Sequence, residues 1–250
     1  MRTLTARKRS RATNFKLGLL LAFVAGAVNA GGFMVVGRYT SHVTGILSAV
    51  TDDVALGQYQ AAFVGFIYFG SFLVGASCSA LIVHWARRQK LHSEYALPLA
   101  VEACLLLIFG TMGSNLNRVL EITVPLTVVV LCFSMGFQNA LITKISKAEI
   151  RTTHMTGVVT DLGIELGRLV YWNRLGDSTD VNYVRADRNR LRVHVQVLLA
   201  FTGGALFGAF GYKAFGMQIT LLFSSMLLLV AVPNLMKDMR FGFKRITRNG

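Results

Sequence analysis

The chain has 250 residues, 53% of them hydrophobic and 15% charged, with a mean hydropathy of +0.52. Soluble domains carry about 25% charged residues, so an ordinary soluble domain is excluded. The formal charge of +14 then has to be read by its placement rather than its size.

Residues 1–16 form a basic arm with Arg2, Arg7, Lys8, Arg9, Arg11 and Lys16. Apolar runs follow at 17–28, 61–83, 96–112, 122–142, 193–212 and 217–232. Most approach the ~20 residues needed to cross a hydrocarbon core. The first reaches that length through the small residues 29–32 and the apolar residues 33–36. The runs do not alternate as the ~10-residue strands of a membrane barrel do. The expected fold class is therefore an all-α membrane protein with six transmembrane helices.

The basic arm, the first apolar run and Val28-Asn29-Ala30 imitate a signal peptide with its cleavage site. The Asn-Ala pair recurs at 139–140, deep in the chain, so the first run is read as a retained helix. Gly31-Gly32 lowers helix propensity and predicts a kink or break. The next stretch, Thr40-Ser41-His42-Val43-Thr44-Gly45, opens a segment too short and polar to span. Its apolar residues at 43, 46, 47, 50 and 54 predict a one-faced helix over 40–58, started by hydroxyl caps among Thr40–Thr44. That helix is either re-entrant or laid against the bundle at the outer side.

The second run carries glycines at 65, 70 and 75 and then Ala76-Ser-Cys-Ser-Ala80, residues small enough for close helix packing in lipid. The third opens near Pro98 and holds Glu102; the fourth opens near Pro125. Thr152-Thr153-His154-Met155-Thr156-Gly157 begins a second short helix, ending near Trp172, with Asp161, Glu165 and Arg168 at neighbouring helical positions. A polar loop covers 175–190. The fifth run contains Gly204-x-x-x-Gly208, and a short hairpin leads to the sixth and a basic tail. Cys78, Cys104 and Cys132 lie inside spans with neither metal spacing nor a disulfide framework.

The two Thr-Gly elements belong to a longer repeat. Val43, Ile46, Leu47, Val50 and Val54 answer Met155, Val158, Val159, Leu162 and Leu166; Asp53 answers Glu165; Gly26-Ala-Val-Asn29-Ala30 answers Gly136-Phe-Gln-Asn139-Ala140. Each copy holds three spans and one short helix. Three is odd, so the second copy must be inverted with respect to the first. The units are 1–16 (basic arm), 17–113 (first repeat), 122–236 (second repeat) and 237–250 (basic tail). Of the 26 Lys and Arg residues, all but Arg38, Arg118 and Lys213 then fall on one side, which the positive-inside rule makes the cytoplasm, with both termini there. Nucleic acid is not expected as a partner, because anionic headgroups account for juxtamembrane basic clusters.

The paired Thr-Gly elements, each some fifteen residues after Gly-x-x-Asn-Ala, resemble the YoaK-like family of uncharacterised bacterial membrane proteins. The resemblance covers the chain apart from its basic arm and tail, and implies a protein of the bacterial inner membrane. The family commonly has an acid where Asn29 stands here.

Several residues are candidates for solute binding. His42 and His154 are repeat-related imidazoles. Thr44-Gly45 and Thr156-Gly157 would start helices whose N–H groups can face an anion. Asn29 and Asn139 are amides within apolar helices, and Glu102 is the acid deepest in a span, a functional position by default. It lies near enough to the cytoplasmic end to snorkel or to pair with Arg87 or Arg88. Asp53 and Glu165 read as solvated helix faces.

No catalytic or metal motif occurs, and neither enzymatic activity nor a cofactor is expected. The function expected is passage of an unidentified small solute through a site at the repeat interface. Alternatives are a membrane scaffold or regulator that moves nothing and a lipid-modifying intramembrane enzyme. The lipid bilayer is the other expected partner, and homo-oligomerisation is left open.

Overall fold

The structure is a computed structural model that describes residues 11–37, 39–89, 91, 93–113, 120–146, 154–171 and 184–246. Its helices are α1 (Arg11–Val36), α2 (Val43–Ala55), α3 (Tyr59–Arg88), α4 (Ala96–Gly113), α5 (Leu120–Ile145), α6 (Met155–Val170), α7 (Arg188–Phe215) and α8 (Ile219–Ile246). A 3-10 turn at Gly216–Gln218 joins the last two, and Gly216, at φ 57°, takes the left-handed conformation that glycine adopts most readily. No strand occurs among the described residues.

Three helical stretches, Ala12–Val36, Tyr59–Arg88 and Val124–Ile145, are long and apolar enough to cross a membrane. So is the continuous stretch Arg188–Lys237, which contains α7 and most of α8, while the apolar part of α4, Ala96–Met112, is shorter. Only 22% of the most apolar part of α3 is buried, and Phe63, Phe66, Leu73, Val74, Leu81 and Trp85 project from it uncovered. An apolar surface of that extent calls for lipid rather than water. The chain is an all-helical membrane protein.

Close backbone approach sets the packing. α1 lies on α7, where a Cβ on Gly26 would overlap the Phe201 carbonyl oxygen and one on Gly204 would overlap that of Phe23. α3 lies on α5 in the same manner, Gly75 against the Phe133 carbonyl and Gly136 against that of Phe72. Without a hydrophobic drive in lipid, such contact supplies van der Waals attraction that a side chain would block. α4 lies on α8, and Ser224 Oγ donates to the Ala103 carbonyl at 2.9 Å. Leu21, Leu106, Phe109, Leu131, Leu141 and Phe223 fill the core between these pairs.

Gly31-Gly32 does not break α1, which continues to Val36. Gly31 instead faces the Tyr212 ring, which a Cβ would overlap, so glycine there admits an aromatic neighbour. α5 begins at Leu120, before Pro125, which withholds one hydrogen bond near the helix start.

The solvated face expected at Glu165 is also corrected: the residue is 3% exposed. Its Oε1 accepts from Arg168 at 2.9 Å and its Oε2 from the backbone N–H of Asp187 at 2.8 Å. Asp187 in turn caps α7, its Oδ1 accepting from the N–H groups of Asn189 and Arg190. A carboxylate predicted to be wet is thus the tie between the end of α6 and the start of α7, whereas Asp53 remains partly exposed.

Candidate solute site between the two Thr-Gly elements

α1 ends at Val36, yet Ser41 Oγ donates to Asn29 Oδ1 at 2.8 Å. Asn29 lies about two helical turns, roughly 10 Å, before that end, so the chain doubles back along α1 before α2 begins. α2 then runs antiparallel to the first half of α3. Its start shares a cavity with Phe72 and Ala76 near the α3 midpoint, and Val50 packs against Gly65. α6 follows α7 similarly: Asp161 lies 3.7 Å from His194, and Glu165 meets the cap at Asp187. Each short helix therefore starts deep and ends near the beginning of the long helix beside it. α2 packs along α3, with its start beside the α3 midpoint.

The two deep starts meet at one cavity of about 670 Å³. The beginning of α2 contributes Ser41, His42, Val43 and Thr44, and the beginning of α6 contributes His154 and Thr156. α5 adds Asn139, Ala140, Thr143 and Lys144, and α3 closes the wall with Phe72 and Ala76. Neither helix start has a side-chain cap; His42 and His154 occupy the two cap positions without bonding the first turn. This departs from the hydroxyl capping expected for α2. Each imidazole instead folds over its own helix, so close that a Cβ on Gly45 would stand 2.6 Å from His42 Nδ1, and one on Gly157 2.7 Å from His154 Nε2. The glycine of each Thr-Gly pair makes room for the histidine ring three residues before it. Thr152 and Thr153 lie outside the described residues.

The predicted site residues divide clearly. His42, Thr44, Asn139, His154 and Thr156 line the cavity, and Gly45 and Gly157 sit beneath the two imidazoles. Asn29 stands behind the wall, holding Ser41. Glu102 is not a lining residue: it is 1% exposed on α4, and its Oε2 has no hydrogen-bond partner. It neither snorkels nor pairs with Arg87, which forms its ion pair with Glu94 at 3.1 Å. The carboxyl is enclosed on the α4 face that packs within the bundle, out of the arginine's reach.

Sequence reasoning missed Lys144, whose Nζ donates to His84 Nε2 at 2.8 Å. It counted as one more cytoplasmic charge; the only available signal was its place five residues after Asn139 on the same helix. A second cavity, of about 480 Å³, lies between α2, α3 and α5 and is lined by Thr40, Asp53, Gln58 and Tyr68 among others. No group of three or more His, Cys, Asp or Glu side chains suited to a metal occurs among the described residues.

These features define a class: an α-helical membrane protein with a cavity framed by the starts of two short helices. The family model described as "Protein of unknown function (DUF1275)" matches residues 17–233, and the chain belongs to that family. It is also similar to the UPF0700 transmembrane protein YoaK of Bacillus subtilis (strain 168), at 25% identity over 154 residues, 61% of this chain and 67% of that protein. The likeness read from the paired motifs thus holds. No solved structure matches the chain.

Proposed function

We propose that the chain is a six-span inverted-repeat permease of the bacterial inner membrane, carrying a small solute through the cavity between its Thr-Gly elements. One observation carries the reading: two elements more than a hundred residues apart in sequence share the walls of a single cavity. A scaffold has no need of an open space shared by both elements.

The duplication has support from packing. Exchanging α1 with α5, α2 with α6, α3 with α7 and α4 with α8 turns the α1–α7 contact into α5–α3. The same exchange turns α2–α3 into α6–α7 and leaves α4–α8 in place. Residues 21–32 and 131–142 have the same sequence of buried and half-buried positions. With six crossings, α2 would dip in from the outside and α6 from the cytoplasm, bringing both helix starts toward the midplane, as in transporters built from discontinuous helices. Both termini would be cytoplasmic, and no covalent chemistry is assigned.

Flux into proteoliposomes loaded with a panel of organic anions, amines, sugars and inorganic ions tests the proposal, with Thr156→Ala and His154→Ala beside the parent protein. A solute should move faster than in protein-free liposomes, and both substitutions should slow it while the protein stays monodisperse. Movement of no solute under any gradient would pass the lead to the scaffold reading.

A further inference from the structure

Resting on that permease reading, the geometry points to a small organic anion as the solute, its charged end seated near Lys144 and its body against Phe72. Side chains carry the electrostatic argument. Lys144 lines the cavity and has no carboxylate within ion-pair distance among the described residues. Its hydrogen-bond neighbour is the imidazole nitrogen of His84, 2.8 Å away, which accepts from the ammonium, so no described carboxylate offsets the positive charge. No Asp or Glu lines the cavity among the described residues. The remaining polar lining includes groups that can donate to an anion: the hydroxyls of Thr44 and Thr156 and the two imidazoles.

The backbone adds the same sign. The starts of α2 and α6 both open on the cavity without a side-chain cap, and a helix start carries roughly half a positive charge. A cation would meet Lys144 and two helix starts with no carboxylate among the described lining residues to offset them. The lining also has an apolar part, with Phe72 and Ala76 from α3 and Ala140 from α5. A volume of about 670 Å³ lies within the usual range for small organic ligands, about 300–1,000 Å³. A positive charge together with apolar lining suits an organic anion better than a fully hydrated inorganic one.

Two small probes of opposite charge test this without knowledge of the natural solute. Thr44→Cys and Thr156→Cys are each placed in full-length protein whose Cys78, Cys104 and Cys132 have been changed to alanine. Their modification rates by the sulfonatoethyl and trimethylammonioethyl methanethiosulfonates are normalised to 2-mercaptoethanol. A cleft lined by one sign of charge concentrates counter-ions by about 10-fold or more, so the normalised anion-to-cation ratio should be about 10 or higher at both positions. Lys144→Gln should lower it several-fold and Lys144→Arg should keep it, which separates loss of charge from loss of fold. A ratio at or below one, or one that Lys144→Gln leaves unchanged, overturns the anion assignment while leaving a water-filled permease cavity intact. Failure of both reagents at both positions overturns the cavity and the permease reading together.

Discussion

Gly203 and Gly204 are adjacent on α7 and should respond in opposite directions to the same added methyl group. At Gly203 a Cβ meets nothing within 4 Å; at Gly204 it would overlap the carbonyl oxygen of Phe23 on α1. Alanine at 203 gains helix propensity at no steric cost, worth up to about 1 kcal/mol. Alanine at 204 gains the same amount but must push α1 and α7 apart by on the order of 1 Å to restore an ordinary C···O separation of about 3.3–3.6 Å. Overpacking of that kind costs about 1–3 kcal/mol, and lost Cα–H···O contact adds about 0.5–1 kcal/mol. The net loss is roughly 1–3 kcal/mol. At about 2–4 °C per kcal/mol for a chain of this size, Gly204→Ala should melt on the order of 2–12 °C lower and Gly203→Ala slightly higher than the parent. Thermal melts of detergent-purified protein, followed by size-exclusion recovery, provide the reading. Equal shifts for the two, or an unchanged melt for Gly204→Ala, would refute the argument that backbone contact holds these helices.

Three further outcomes are expected. Gly136→Ala should reproduce the loss seen for Gly204→Ala, since its Cβ would overlap the Phe72 carbonyl, and the same melts check it. Single cysteines at Gln58 and Lys213 should react with an impermeant thiol reagent applied to intact cells, and cysteines at Gln89 and Tyr171 only after permeabilisation; the reverse pattern would overturn the six-crossing topology. Glu165→Gln should weaken the tie from α6 to the α7 cap by roughly 1.5–3 kcal/mol, the usual worth of charged hydrogen bonds. That loss should appear as faster amide exchange in α6, with a smaller effect from Arg168→Ala because Arg168 is half exposed.

The class of protein was legible because apolar length is a one-dimensional property. So was the pairing of the Thr-Gly elements, which shares residue types and spacing across two stretches. The doubling back of the chain before α2 was not legible, because an apolar stripe at 43, 46, 47, 50 and 54 says only that one face of the helix is covered. The deciding contact joins Ser41 to Asn29, and two polar residues twelve apart announce no partnership. Lys144 was hidden by the charge rule that explained it as a cytoplasmic lysine. Glu165 and Asp53 hold equivalent positions in sequence, and what separates them is Asp187, twenty-two residues beyond Glu165 in the chain. Glu102 was correctly singled out as an unusual acid within an apolar run, but its enclosure in the bundle is a matter of tertiary packing that no local pattern reveals.

The pairing of α1 with α7, α3 with α5 and α4 with α8 has a consequence for biogenesis. Every extensive contact between long helices joins the first half of the chain to the second. When a ribosome has made only the first half, the Gly26 groove has no α7 to receive it and the Gly75 groove no α5. The first half must wait in the bilayer with its small-residue surfaces against lipid until the rest is synthesised. Each half carries the partners that the long helices of the other half pack against. Two fragments divided within residues 114–119 and synthesised together should therefore recover each other, where either made alone is left for the proteases that clear unassembled membrane helices.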